Sequence, residues 1–212
     1  TFEDFELIVI DDCSPQPFYL DEQNAKDPRA RVLKTPRNVG QCGANNLGIR
    51  EAQGKYISFL DCDDHWQPNK LEVVKRCIDG IEDGQDFVVF SNVFIDLGGG
   101  NVIDHQNPHI EPDENVINYL FFKKGVLQTS TLTVSAGVAK GVMFNPDFRN
   151  HSDYDFVWRV HLAGAKFYHV DETLATWCCD ERPDRVSKRN LHTIRESQRW
   201  IDEISLDISE PT

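Results

Sequence analysis

A chain of 212 residues, 40% of them hydrophobic, has the size of one ordinary domain and enough apolar material for a real core. Its formal net charge of −13 works against non-specific nucleic-acid binding and against a polybasic membrane patch, since both need a basic surface. Nucleotide binding stays open, because a bound cation can reverse the local sign. The cysteines, Cys13, Cys42, Cys62, Cys77, Cys178 and Cys179, include no C-x-x-C pair and fit neither a disulfide framework nor a zinc site, so we expect reduced thiols in a cytosolic protein. No apolar run reaches the roughly 18 residues of a membrane span, and no signal peptide is visible.

Strand and helix patterns alternate through the first half, which predicts an α/β class. Residues 5–10 read as an apolar strand that runs into Asp11-Asp12-Cys13-Ser14-Pro15, and residues 31–34 as a short strand. A helix is predicted from Gly40 to Gln53, with Ala44, Leu47, Gly48 and Ala52 at helical spacing and Gly54 as its stop. Residues 55–60 form a strand that ends in Asp61-Cys62-Asp63-Asp64, followed by a helix over 68–79 and a long strand over 86–95. Gly98-Gly99-Gly100-Asn101 is a turn. The second half is less regular: a helix over 114–122, a threonine-rich strand over 129–134, a helix over 153–163 closed by Gly164, a strand over 166–170 and an amphipathic helix over 191–204.

The acids at the strand ends carry the chemistry. Strand side chains alternate, so Asp61 and Asp63 point to the same side, where they repel unless a cation or donor lies between them. Hard oxygen ligands in that position suit Mg²⁺ or Mn²⁺, which commonly bring phosphates. Asp11 and Asp12 end a second apolar strand, and ligands of open α/β sheets bind at such ends. The plainer readings are a solvated acidic turn for Asp61 to Asp64 and a turn or helix cap for Asp11 and Asp12.

Four segments in order resemble the family 2 glycosyltransferases. They are Phe5-Glu6-Leu7-Ile8-Val9-Ile10-Asp11-Asp12-x-Ser14, Arg37-Asn38-Val39-Gly40-x-x-Gly43-Ala44-Asn45-Asn46-x-Gly48, the stretch from Ala52 through Asp61-x-Asp63-Asp64-x-Trp66-x-Pro68-x-Lys70-Leu71-Glu72, and Ser152-Asp153-Tyr154-Asp155-Phe156-Val157-Trp158-Arg159. The resemblance implies a GT-A-like three-layer α/β/α sandwich with a mixed sheet. Residues 1–96 would form the nucleotide-sugar-binding half, and 97–212 the acceptor-binding half with the base and the C-terminal helix, in one structural domain. It implies an inverting transfer from a nucleotide-diphosphate sugar, a UDP-sugar favoured, to a glycan or lipid-linked acceptor. The setting would be bacterial surface polysaccharide synthesis at the cytoplasmic face of a membrane, with at most peripheral association.

By motif match, Asp12 is the nucleoside-contacting acid and Asp11 supports the same turn. Asp63 is the metal ligand and Asp61 a ligand or ribose contact, with Mn²⁺ or Mg²⁺ as the ion. Asp64 is either a further ligand or a cap for the next helix. Asp153 is the base that takes the acceptor proton, a role a carboxylate within hydrogen-bond reach can fill; its structural alternative is an acid favoured at a helix N-terminus. Asn38 and Gly40 shape a loop near the nucleotide, Gly40 through a positive φ or close backbone approach, or form a plain turn. Asp155 and Trp66 read as structural. Arg182 and Arg185 lie either in a lid over the diphosphate or in a solvated loop. His65, His151 and His192 are weak candidates, and Gln128-Thr129-Ser130-Thr131 reads as a satisfied polar strand rather than an acceptor border.

The chain departs from the family pattern in several places. The family's first strand and its Pro-x-Tyr-Asn-like turn have no counterpart, so we expect an open strand edge able to pair with another chain. Asn45 stands where the family usually carries Arg, and Ser152 where it carries Glu. Gln198-Arg199-Trp200 is contiguous, unlike the Gln-x-x-Arg-Trp of processive synthases, and reads as chance on a terminal helix that packs on its own domain or on a second copy in a homodimer. The competing function is a non-catalytic nucleotide-sugar or glycan-binding relic or accessory subunit. A nucleotidyltransferase would need a Gly-rich phosphate loop and an early catalytic lysine, and neither is present in this sequence.

Overall fold

The computed structural model describes residues 2–22, 24–179 and 191–205. In chain order the elements are β1 (Leu7–Asp11), β2 (Ala30–Lys34), α1 (Gly40–Glu51), β3 (Tyr56–Ser58), β4 (His65–Trp66), α2 (Lys70–Ile78), β5 (Phe87–Asp96), β6 (Val102–His105), α3 (Val116–Phe121), a 3-10 turn (Thr129–Thr131), β7 (Thr133–Ser135), α4 (Ala136–Val142), α5 (Ser152–Leu162), β8 (Lys166–Cys178) and α6 (Leu191–Ile204).

β1 and β2 pair in parallel, Leu7 opposite Ala30 and Asp11 opposite Lys34, and form a small sheet of their own. The larger sheet runs β3-β7-β5-β8-β4, with β6 paired to β5. It is mixed: β5 and β8 are parallel, while β3–β7, β5–β7, β5–β6 and β4–β8 are antiparallel.

β5 organises the layers. Val88, Val89 and Phe90 are all 0% exposed, so the strand is covered on both faces and reads as a continuous apolar run. Phe87 and Val89 pack with Val73, Val74 and Ile78 of α2 and with Val170 and Leu174 of β8. Val88 and Phe90 belong to the larger core, with residues of α1, α3, α4, α5 and α6. One helix therefore covers one face and the remaining helices the other, which is the three-layer arrangement expected. α6 packs on its own domain through Trp200 and Ile204, both buried.

Differences from the expected elements have local causes. The strand predicted to stop at Val170 continues to Cys178, because a register shift opposite Ser91 and Asn92 lets it resume at Thr173. Such a bulge bends a strand, and beyond it β8 pairs with β4, Thr176 opposite His65. The Asn92 side chain spans the irregularity, donating to Asp171 Oδ1 at 3.1 Å and to Gln106 Oε1 at 2.8 Å. The strand predicted over 129–134 is half 3-10 turn, because the Gln128 side chain accepts from Ser130 N at 2.8 Å and caps the turn. α4, which the sequence reading missed, carries two glycines, Gly137 and Gly141, that weaken its helical signal. The turn at Gly98 to Asn101 forms as expected, closed by Asn101 N to Gly98 O at 3.1 Å.

Candidate active site

β3 ends at Ser58, Phe59 N makes one further bond to Leu132 O at 3.2 Å, and the chain then turns, with Asp64 N donating to Asp61 O at 3.1 Å. That turn presents the acids. Gln41 Nε2, from the first turn of α1, donates to Asp61 Oδ1 at 2.8 Å, and Gln128 Nε2 donates to Asp61 Oδ2 at 3.1 Å. The Asp61 backbone N–H is taken by Ser130 Oγ at 2.9 Å. Burial, followed by the charge of Asp64 and, more weakly, of Asp153 and Asp63, pushes the Asp61 carboxyl up to about 7. Carboxylates from two distant stretches of sequence thus lie close enough to Asp61 for their charges to act on it.

Asp64 is fastened from three sides. Its Oδ2 accepts from Ser130 Oγ at 2.6 Å and Gln128 Nε2 at 2.8 Å, and its Oδ1 accepts from Cys178 N at 2.9 Å. It does not cap α2, whose N-cap is Asn69; it ties the acidic turn to the end of β8. Trp66 donates from Nε1 to Ser130 O at 2.8 Å, so its indole is a structural strut as expected. Lys70 is fully buried, donates to Thr131 O at 3.1 Å and lies 5.3 Å from the Trp66 ring centre. Burial pulls its ammonium down to about 7.

Asp153 is the second residue of α5. Its Oδ1 accepts from Tyr154 N at 2.9 Å, and burial pushes its carboxyl up to about 6 against that hydrogen bond. The helix begins after His151, which is left-handed (φ 61°). α6 braces this entry: His151 stacks on Trp200 at 5.4 Å and shares a hydrogen bond with Ser197 Oγ at 2.7 Å. Asn150 donates to Glu196 at 2.7 Å, and Arg199 donates to Asp147 O at 2.6 Å. Arg199 and Trp200, read as chance in the sequence, thus buttress the segment that leads to Asp153. Asp155 is structural as expected, paired with Arg159 at 2.7 Å.

Asp11 and Asp12 form a separate cluster at the end of β1. Asp11 is buried and accepts from Ser14 N at 3.0 Å and Phe18 N at 3.2 Å. The Ser14 hydrogen bonds hold its carboxyl below the usual carboxylate range. Asp12 Oδ1 accepts from Thr35 Oγ1 at 2.6 Å and Val39 N at 2.9 Å, and its Oδ2 from Gly40 N at 2.8 Å. Asn38 Nδ2 returns a bond to Asp12 O at 3.1 Å, and Gly40 has φ +74°, where only glycine is unstrained. A pocket opens beside this cluster, lined by Asp11, Cys13, Ser14, Pro17, Lys34 and Thr35, with Lys34 over the Tyr19 ring at 4.4 Å.

Sequence reasoning found the acids and the loop, and the structure groups them as two clusters joined by Gln41, the residue after Gly40. It missed Gln41, Gln128 and Ser130 as partners of those acids, and Lys70 and Trp200 as supports of the segments that carry or hold them. Lys70 had a signal, being inside a matched motif; the glutamines had none. Arg182 and Arg185 lie outside the described residues, as does the side chain of His192. His65 is exposed on β4. Among the described residues no three His, Cys, Asp or Glu side chains gather closely enough to hold a metal by themselves. A cation here would take one or two carboxylates and complete its shell from phosphate and water, which is usual for Mg²⁺ and similar ions.

This fold, with acids after one strand and an acid at a helix start, is that of the GT-A glycosyltransferases. The family model described as Glycosyl transferase family 2 matches residues 1–147, and the chain belongs to that family. It is 27% identical over 208 residues to the amylovoran biosynthesis glycosyltransferase AmsB of Erwinia amylovora, covering 95% of this chain and 68% of that protein. Among solved structures it shares the fold of S. aureus TarS 1-349 in complex with UDP (TM-score 0.65, 17% identity, 97% of this chain and 66% of that one). It also shares the fold of GalNAc-T7 with UDP, GalNAc and Mn²⁺ (TM-score 0.63, 12% identity, 93% of this chain and 42% of that one). The chain therefore spans about two thirds or less of the length of these proteins.

Proposed function

We propose that this chain carries the catalytic centre of an inverting glycosyltransferase that moves a sugar from a nucleotide-diphosphate donor to a glycan or lipid-linked acceptor in surface polysaccharide synthesis. The observation that supports this reading is the approach of Asp63 and Asp153 to Asp61, each near enough for its charge to raise the Asp61 carboxyl, with Asp61 held by Gln41 and Gln128. Residues 1–96 serve the donor and 97–212 the acceptor. A UDP-sugar is the favoured donor, a choice supported by the UDP-bound TarS of the same fold.

The donor set fits a divalent cation, because it consists of hard carboxylate oxygens whose crowding an added positive charge would relieve. Asp63 and Asp61 would hold Mn²⁺ or Mg²⁺, which when bound neutralises diphosphate charge. Asp153 accepts the acceptor hydroxyl proton as that oxygen bonds to the anomeric carbon and the bond to the diphosphate breaks, with the nucleoside diphosphate leaving from the opposite face. A carboxyl raised to about 6 by burial is a better base than an ordinary aspartate and is still ionised at neutral pH. Asp12 acts on the donor by holding the loop of Asn38 and Gly40, and a base N–H would share an oxygen that already accepts. Asp11 keeps the turn that lines the pocket. No described helix is long and apolar enough to cross a membrane, and we place the work of this domain at the inner membrane face through its acceptor.

The test is calorimetric titration of UDP and of GDP with and without Mn²⁺. Metal-dependent binding of one nucleotide is expected and identifies the base. Absence of binding to either would remove the donor reading and leave a relic.

A further inference from the structure

Asp61 has two oxygens and a free rotor, yet a carboxylate that serves a cation must present a defined oxygen. Gln41 Nε2 holds Oδ1 at 2.8 Å, and Oδ2 is held by Gln128, which caps the 3-10 turn and lies 67 residues away. Gln128 is 4% exposed. Its Oε1 accepts from Ser130 N at 2.8 Å, which fixes the amide so that Nε2 faces the acids. That nitrogen has two hydrogens, and it reaches Asp61 Oδ2 at 3.1 Å and Asp64 Oδ2 at 2.8 Å. The turn itself is anchored on three sides, by Thr131 Oγ1 to Gln128 O at 2.7 Å, Trp66 Nε1 to Ser130 O at 2.8 Å and Lys70 Nζ to Thr131 O at 3.1 Å.

The choice of an amide has a physical consequence. A lysine or arginine in this place would neutralise the carboxylates and compete with a cation. A glutamine satisfies both acids through hydrogen bonds and leaves their negative charge in place. Among the described residues the one buried ammonium, that of Lys70, is directed to a carbonyl instead.

From this geometry we infer that Gln128 is a positioning residue: its carboxamide bridges Asp61 and Asp64 and holds Asp61 in the orientation that serves the metal-bound diphosphate. The inference rests on the donor reading above. Gln128 does not touch substrate; it acts through Asp61, as outer partners of metal-site carboxylates do.

The experiment compares the wild-type chain with Gln128→Met, which keeps length and packing but has no N–H. Mn²⁺ binding is read from loss of the free-ion electron paramagnetic resonance signal in the presence of UDP or GDP, whichever binds, and nucleotide binding without metal is read by calorimetry. Mn²⁺ affinity is expected to fall about tenfold, with metal-free nucleotide affinity and the thermal midpoint in EDTA near wild type. Unchanged Mn²⁺ affinity, or equal loss of metal-free nucleotide binding, would overturn the inference. Should Gln128→Met fail to fold, Gln128→Asn, one methylene too short to reach both acids, gives the same comparison. If the wild-type chain itself binds neither nucleotide with Mn²⁺, the donor reading fails and this inference falls with it.

Discussion

Two strands of this protein end in acids, and the two ends have opposite fates. At the end of β1, Asp11 and Asp12 are met by backbone N–H groups of Ser14, Phe18, Val39 and Gly40. At the end of β3, Asp61 is met by neutral side-chain amides and by other acids, and its carboxyl rises to about 7, whereas that of Asp11 is lowered. A strand-end aspartate thus becomes structural where the backbone supplies its donors. Where other acids crowd it, its carboxyl is raised instead, and an added cation would relieve that crowding.

The contrast predicts unequal consequences of mutation. Asp63→Ala should weaken Mn²⁺-dependent nucleotide binding by more than about a hundredfold, since the loss of a ligating carboxylate exceeds the 10–100-fold typical of outer partners; calorimetry reads it directly. Asp153→Asn should leave that binding intact while transfer, followed by release of the nucleoside diphosphate, falls by roughly 10²–10⁴-fold, the usual worth of a general base. Equal loss of binding in both variants would erase the distinction between ligand and base. In the wild-type enzyme, transfer should fall about tenfold per pH unit below about 6, where Asp153 becomes protonated.

Stability should separate the two ends by sign. Asp61, raised to about 7, and Asp153, raised to about 6, keep protons that the unfolded chain releases near their ordinary value of 3.8. The folded state therefore binds more protons between about pH 4 and pH 7, and stability contributed at these sites falls as pH rises through that window. Asp11, with a lowered folded value, contributes stabilisation above its unfolded value that is lost on acidification through the lowered one. Thermal unfolding in EDTA should accordingly show Asp153→Asn more stable than wild type at pH 8, by roughly 1–3 kcal/mol, with little difference at pH 4. Asp11→Asn should be less stable than wild type at pH 8. A gain for Asp11→Asn would break the comparison. The smallest effect is that of Asp12→Ala, which removes the acceptor for Val39 N and Gly40 N at the start of α1 and should cost about 1–2 kcal/mol, as loss of a helix cap does.

The acids were legible because their signal is local. An apolar run that stops in Asp61-Cys62-Asp63-Asp64 marks the acids in the chain, although the strand predicted over 55–60 closes at Ser58 and a turn, not strand alternation, presents Asp61 and Asp63; β5 is a continuous apolar run for the reason that it is covered on both faces. What surrounds the acids was not legible, because it arrives from far along the chain. Gln128 lies 64 residues from Asp64, and Cys178 lies 114 residues from it. No periodicity marks a glutamine that caps a 3-10 turn, so residues 129–134 read as a strand. Arg199 and Trp200 read as an accident of an amphipathic helix, since their partners His151 and Asp147 come from another segment. The long β8 was cut at Val170 because its two parts are separated by an irregularity that breaks the alternation of side chains.

β1 and β2 share backbone hydrogen bonds only with each other among the strands of the described residues. They are fastened to the rest by packing of β1 on α1 and by side chains, Glu6 accepting from Gln53 N at 2.5 Å and Gly54 N at 3.0 Å, and Asp12 holding the start of α1. In native-state hydrogen exchange the amides of Val9 and Ile10 should therefore open at a lower free energy than those of Val88 and Phe90, as a separate cooperative unit. The pocket lined by Asp11, Lys34 and Thr35 is built on that unit, so under the proposed function nucleotide occupancy and local folding of the first two strands would be linked equilibria. A saturating nucleotide should slow exchange in β1 and β2 more than anywhere in β5.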